Sequence, residues 1–456
     1  MKQQTNQITE GVIWKQLLLF FFPILFGTFF QQLYNTVDAV IVGNFVGKEA
    51  LAAVGGPASM IINLLVGFFV GLSSGAGVII SQYFGSREKE RLESAVHTSV
   101  ALAIVGGGIM IVLGLLTTTV SLRLLNTPED IMPPSVTYMR IYFTGMIPSM
   151  LYNMGAAILR AIGDSKKPFY FLMAACLTNI VLDLLFVLGF GMGVTGVAIA
   201  TVLSQVVSAL LTMFVLIRTT DIYRVTLSKI RFQAQMLQSI LTIGLPAGLQ
   251  SAMYSISNLV IQAAINGYGT DTVAAWTAYG KVDSFFWMTV NAFGIAITTF
   301  AGQNFGAGKI DRIKKSVRVC LSMAAGTSIF FSFVILYGGH IILRLFTQDA
   351  AVIEICMSMI RIVTPTYITY ICIEILSGAC RGCGDSFYPM VITCMGVCAL
   401  RIIWIAVSSA LFPSIGAVCL SYPITWTVTS TLFIIYYRRG KWLRHAGTEM
   451  VYSGGK

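Results

Sequence analysis

RAIGDSKKP at 160–168 and RGCGDSFYP at 381–389 carry Arg, Gly, Asp, Ser and Pro at the same five of nine places, 221 residues apart. The same offset relates Gln82, Phe84 and Gly85 to Gln303, Phe305 and Gly306, and Arg123-Leu124 to Arg344-Leu345. With one short indel, Pro23 answers Pro246. The chain is one unit written twice. Self-similarity of so long a period points to structural repeats, and in apolar chains such repeats usually build transporters.

Composition sets the solvent. Of the 456 residues, 56% are hydrophobic and 11% charged, and the mean hydropathy is +0.79. A soluble domain carries about twice that charge. Apolar runs of about 20 residues, enough to cross roughly 30 Å of hydrocarbon as a helix, recur throughout. The first six expected spans are 17–42, 51–80, 94–116, 136–158, 169–190 and 194–217. The second six are 240–265, 273–300, 317–337, 353–376, 390–411 and 415–436. The first run is too long for a signal peptide and shows no cleavage site. Barrel strands would need short alternating segments, so the predicted fold is an all-α membrane protein of about twelve helices.

Lys and Arg collect in the even-numbered loops, at Arg87, Lys89 and Arg91, at Arg160, Lys166 and Lys167, and from Lys309 to Arg318. Arg438, Arg439, Lys441 and Arg444 follow the last span. Positive loops stay in the cytoplasm, which predicts both termini there, in a multi-pass protein of a bacterial-type plasma (inner) membrane. Six spans is an even number, so both repeats insert the same way round, as parallel six-helix repeats about a central cavity. The expected divisions are an N-terminal lobe at 1–217, a cytoplasmic linker at 218–235, a C-terminal lobe at 236–438 and a tail at 439–456. The net charge of +11 is assigned to this topological bias and to contact with an anionic lipid bilayer. No aromatic-interleaved basic stripe suggests nucleic acid, and the chain is expected to be monomeric.

Chemistry of other kinds finds little support. There is no phosphate-binding P-loop, so work must come from an ion gradient. Cys380 and Cys383 form a C-x-x-C with no second pair or nearby His to complete a zinc set. His97, His340 and His445 are scattered, and no nucleophile, base and orienting group cluster. The expectation is a protein that is no enzyme and holds no cofactor or metal.

Energy must then enter through an acid inside the membrane, where an ionised side chain costs at least about 2.5 to 3.5 kcal/mol. Asp38, Asp183, Asp283 and Glu374 fall inside expected spans. Asn179 precedes Asp183 by four residues and shares its helical face, and Thr201 in the sixth span adds a hydroxyl. Two carboxylates, an amide and a hydroxyl suit a hard cation or a shared proton. The bland alternative is a neutral, hydrogen-bonded structural pair.

The duplicated R-x-x-G-D-S-x-x-P loops, the Q-x-F-G turns after spans two and eight, the Pro-led first and seventh spans and the 6+6 layout together resemble the multidrug and toxic compound extrusion (MATE) family, in its DinF/MepA-like branch. The resemblance implies an antiporter that exports amphipathic or cationic organic compounds in exchange for inward H⁺ or Na⁺, by alternating access of two lobes. It also implies a cation-coupling site of Asp38, Asn179, Asp183 and Thr201, and a first helix whose flexing at Pro23 and Gly27 answers ion loading.

The second repeat has diverged, with Leu400 and Trp404 at the places of Asn179 and Asp183 and Ile261 at that of Asp38. Where the NorM-type branch of the family is expected to carry a Glu in the seventh helix, Tyr254 stands. Glu374 is expected to pair with Arg401 as a structural salt bridge, or else to bind the substrate cation. Met253, Tyr254, Asp283 and Glu374 make up a candidate substrate cavity. Asp164 and Asp385 are read as helix caps beside Arg160 and Arg381. The competing reading is a lipid-linked saccharide flippase, with Arg140, Arg361 and Arg401 as its cationic candidates.

Overall fold

The computed structural model describes residues 7–440 and 442–443, so most of the expected tail, Lys441 and Arg444 included, lies outside the described residues. Among those described, the regular structure is helical throughout. A short α1 (Gln7–Glu10) leads into α2 (Ile13–Ile41), which runs unbroken through Pro23 and continues as a π segment, Val42–Val46. Next come α3 (Lys48–Gly55), α4 (Pro57–Ser86), α5 (Lys89–Leu124), α6 (Met132–Thr144) and α7 (Met146–Ala161). The first repeat closes with α8 (Lys166–Asp183), a π segment at Leu184–Gly189, and α9 (Gly193–Arg218).

In the second repeat α10 (Ala234–Asn266), α11 (Thr270–Gly306) and α12 (Ile310–Leu343) are long and continuous. α13 (Ala350–Val363) and α14 (Tyr367–Gly382) are joined by one 3₁₀ turn at Thr364–Thr366, where Pro365 withholds a backbone donor. α15 (Phe387–Thr393), a π segment at Cys394–Ala399 and α16 (Leu400–Leu411) form one stretch, and α17 (Ile415–Arg438) ends the described fold.

Ten helical stretches among the described residues have the length and hydropathy to cross a membrane. The expected fourth span is divided at Gly145 into α6 and α7, of 13 and 16 residues. The expected seventh is α10, 33 residues long and interrupted by polar side chains such as Gln238, Gln250 and Asn258. The expected second span is also broken, at Gly56, where α3 stops and Pro57 starts α4 with no donor to lose.

The loops that revealed the repeat have one backbone geometry. Gly163 and Gly384 take φ of +97° and +104°, a left-handed turn that glycine enters without a steric penalty. Each ends its helix alike: Gly163 N–H donates to Arg160 O and Gly384 N–H to Arg381 O, both at 2.9 Å. Asp164 N–H donates to Leu159 O at 2.9 Å and Asp385 N–H to Cys380 O at 3.1 Å. Asp164 then caps α8 by accepting from the N–H groups of Lys166 and Lys167, each at 3.1 Å. Its other oxygen pairs with Lys167 at 3.1 Å, where Arg160 was the expected neighbour. Asp385 accepts from the Tyr436 hydroxyl. Asp164→Ala is expected to cost about 0.5 to 2 kcal/mol of stability, read as a lower unfolding midpoint in detergent, with transport retained in the folded fraction.

The described chain forms two compact units, Phe22–Gly248 and Met1–Phe21 with Leu249–Lys456. In the unit Phe22–Gly248, the first half of α10 lies against α4 through two G-x-x-x-G motifs. A Cβ on Gly71 would stand 2.5 Å from Gly248 N, and one on Gly75 2.5 Å from Gly244 N and 2.6 Å from Gly244 Cα. The residues before α10 are fastened to the start of α5. Ser94 donates to Gln233 Oε1 at 2.6 Å, and Lys229 pairs with Glu93 at 2.6 Å. His97 Nε2 accepts from Thr226 N–H at 2.9 Å, which leaves Nδ1 as the donor to Glu93 O at 2.7 Å.

In the other unit, the first turns of α2 pack on α11. Phe21 stacks on Phe293 with ring centroids 4.2 Å apart, and Phe20 meets Phe300 edge-on at 6.3 Å. The start of the chain is held there by Lys309, which donates to Thr9 O at 3.0 Å, and by Arg312, which donates to Ile8 O and Gly11 O.

Candidate ion site and aromatic acid cluster

Four helices of the unit Phe22–Gly248 bring polar groups together in its interior. Asp38 comes from the end of α2, Asn179 and Asp183 from the last turns of α8, and Thr201 from α9. Asn179 and Asp183 are fully buried, Thr201 is 3% exposed and Asp38 8%. Tyr138 of α6 lies within electrostatic range of both acids. The π segments that follow α2 and α8, at Val42–Val46 and Leu184–Gly189, begin just beyond the two acids. Such bulges occur often where a site displaces the helical ladder.

The two carboxyl groups face each other at hydrogen-bonding range. Taken as carboxylates they offer only acceptors to one another, and Asp38 Oδ1, both oxygens of Asp183 and both polar atoms of Asn179 are buried with no partner. Each such orphan costs about 1 to 3 kcal/mol, more when charged. One shared proton turns the acid contact into a hydrogen bond, and a hard cation gives the oxygens a common partner. Thr201 Oγ1 donates to Val197 O at 2.9 Å, which leaves its lone pairs free to accept. The donor set of two carboxylates, an amide oxygen and a hydroxyl therefore fits an ion or a proton. A structural pair would leave the Asn179 amide unmatched.

Pro23 is half-buried in the middle of α2 and Gly27 is buried against α8. A Cβ on Gly27 would meet Leu172 at 3.6 Å and Phe169 at 3.9 Å, ordinary contact distances, so close approach does not demand glycine there.

The candidate substrate residues lie in the other unit, around an aromatic core. Asp283 on α11 is 9% exposed and accepts from Trp287 Nε1 at 2.6 Å and from the Tyr367 hydroxyl. Phe286 stacks on Tyr367 at 3.8 Å, while Trp287 and Trp426 pack edge-on or tilted against Tyr370 at 4.6 and 5.3 Å. The Tyr370 hydroxyl donates to Glu374 at 3.4 Å and meets that of Tyr254, also at 3.4 Å. Met253, the residue before Tyr254 on α10, is half-buried. Phe285, next to Phe286 in the chain, is 47% exposed.

The expected Glu374–Arg401 salt bridge does not form. Arg401, 2% exposed, lies 4.3 Å from the centroid of the Tyr422 ring and donates to Thr425 at 3.4 Å. The Glu374 carboxyl rests instead against Gly294, where a Cβ would collide with it. Of the other arginines of the flippase reading, Arg140 and Arg361 are exposed, and Arg361 pairs with Glu354 at 3.6 Å. All nine cysteines are free, and the described residues hold no group of three metal-ligating side chains.

Sequence reading missed the glycine crossing. Its signal was present as GLSSG at 71–75 and GLPAG at 244–248, small residues four apart in apolar helices.

Duplicated six-span helical repeats, with intramembrane acids buried in one and an aromatic acid cluster in the other, define a membrane protein of the transporter type. The MatE family model matches the chain twice, at residues 23–185 and 246–407, and the chain belongs to that family. The probable multidrug resistance protein YoeA of Bacillus subtilis is 29% identical over 95% of each chain. The probable multidrug resistance protein NorM of Thermotoga maritima is 24% identical over 95% of this chain and 94% of its own. Among solved structures, a MOP superfamily transporter from Pyrococcus furiosus superposes with a TM-score of 0.90 at 22% identity, covering 96% of this chain and 98% of its own.

Proposed function

We propose that this protein is a secondary active multidrug exporter, expelling amphipathic or cationic organic compounds in exchange for inward H⁺ or Na⁺. The observation that carries the reading is the set of orphaned buried oxygens on Asp38, Asn179 and Asp183, which an ion or proton would satisfy. Relatives named as multidrug resistance proteins over nearly the whole chain support the cargo class. The Trp and Tyr faces around Asp283 and Glu374 are suited to organic cations through cation–π contact.

Alternating access of the two lobes would couple the two events, with Pro23 and Gly27 on the helix that also carries Asp38. The charge bias of the loops favours both termini in the cytoplasm and operation as a single chain in a bacterial inner membrane. One proton moving down a gradient supplies about 1.4 kcal/mol per pH unit and about 2.3 kcal/mol per 100 mV. Each pH unit can therefore sustain roughly a tenfold drug gradient per proton.

The test is dye efflux from proteoliposomes under a pH gradient or a Na⁺ gradient imposed one at a time. Uphill export under one of them is expected. Equal dye movement with neither gradient, or gradient-independent lipid flipping in the same vesicles, would overturn the proposal.

A further inference from the structure

Both repeats begin on a helix that runs through a proline, α2 at Pro23 and α10 at Pro246. Proline removes one ladder hydrogen bond, so a bend is cheap at either place. One turn further on, the residue that could hold the helix beyond its weak point is Gly27 in the first repeat and Gln250 in the second.

Gln250 is 6% exposed and ties α10 to two neighbouring helices. Its Nε2 donates to the Thr393 hydroxyl at the end of α15 at 3.4 Å, and its Oε1 accepts from Arg381 of α14 at 3.3 Å. Arg381 also donates to Ser377 at 3.5 Å and lies within electrostatic range of Glu374. α14 is a firm anchor for this tie, because a Cβ on Gly382, the residue after Arg381, would collide with Thr298 O of α11.

The first repeat has the same frame without the tie. At the 221-residue offset Thr393 answers Leu172, Ser377 answers Ala156 and Arg381 answers Arg160. The contacts agree with that alignment, since a Cβ on Gly27 would have Leu172 as its nearest neighbour, just as Gln250 has Thr393. Where α10 presents an amide to a hydroxyl and a guanidinium, α2 presents a glycine to a leucine, and Arg160 has no side chain to meet at that place on α2.

We propose that Gln250 is a positioning residue that pins α10 beyond Pro246, so that of the two proline helices only α2 is free to bend. A buried amide inside a span has no water to replace a lost partner, and bending α10 would leave the amide, the Thr393 hydroxyl and the Arg381 guanidinium short of one. α2 slides at Gly27 over apolar contact alone, and no polar group is stranded. The inference rests on the reading of α2 as the helix that flexes with ion loading, but its test does not use transport.

Amide hydrogen exchange of the purified protein would be followed by mass spectrometry, comparing peptides across 242–254 of α10 with peptides across 19–31 of α2. Slower exchange is expected for the α10 peptides. Gln250→Leu, which keeps the bulk and drops the bonds, is expected to speed exchange in the α10 peptides by about tenfold, the worth of one such hydrogen bond, and to leave α2 unchanged. Gln250→Glu, able to accept from both Arg381 and Thr393, is expected to keep the slow rate. Equal rates for the two helices in the unaltered protein, no rise in Gln250→Leu, or a rise of the same size in every helix would overturn the proposal. If Gln250→Leu gives no folded protein, Thr393→Val, which removes one arm of the tie, decides. Faster exchange confined to α10 supports the pin, and an unchanged rate refutes it. Failure of the ion-coupled reading would instead show as unchanged gradient-driven efflux by Asp183→Asn, with the exchange comparison unaffected.

Discussion

Asp183→Asn is expected to abolish gradient-driven export while leaving a folded protein in the membrane. The substitution keeps size and hydrogen-bonding capacity, so the packing of a fully buried position on α8 survives. On the ion-coupled reading proposed above, it removes the group that would exchange a proton or hold a cation beside Asp38. With a driving force of about 1.4 kcal/mol per pH unit per proton disconnected, drug accumulation should relax to the ratio set by passive leak. A loss of about tenfold in gradient per pH unit follows. Asp38→Asn should act the same way, and the double variant should be no worse than either if the pair works as the single site proposed above. Efflux in proteoliposomes, with monodisperse elution as the folding control, measures this. Normal ion-driven export by either single variant would remove the site.

The second large effect belongs to the glycine crossing. Gly75→Ala places a methyl group 2.5 Å from Gly244 N and Ile240 O, and Gly71→Ala one 2.6 Å from Gly248 Cα. These are backbone atoms, which no side-chain rotation can move, so α4 and α10 must separate. Overpacking of that kind costs typically about 1 to 3 kcal/mol, and two such clashes on one helix pair would strip the first half of α10 from the unit that holds it. Gly108→Ala is the matched control, since nothing stands within 4 Å of a Cβ there and alanine gains helix propensity of up to about 1 kcal/mol. Unfolding midpoints should fall for the first two and hold or rise for the third. Equal shifts in all three would show that the crossing carries no stability.

The physics of the bilayer made much of this protein legible in advance. Apolar runs gave helices because hydrocarbon offers no water to an open backbone. The paired GDS loops showed the duplication because a left-handed glycine followed by a capping aspartate is a local solution, written in adjacent residues. Asp38 and Asp183 stood out because charge in a membrane span is costly enough to need a reason. Their meeting, by contrast, joins positions 145 residues apart and depended on how α2 settles on α8.

Where partners are set by packing, sequence spacing misled or was silent. Glu374 and Arg401 looked like a pair by topology, yet the tertiary structure gives each a tyrosine, because ring faces and hydroxyls lay nearer than the opposite charge. The chain order draws a boundary between α9 and α10, but two glycines on each of α4 and α10 let backbones touch, and that contact assigns the first half of α10 to the unit Phe22–Gly248. Sequence alone determined that the chain is an apolar, duplicated helical unit, because solvent and local backbone conformation act residue by residue. Which buried charges meet, and where one unit stops, was decided only in three dimensions, where side-chain reach and close packing outweigh order along the chain.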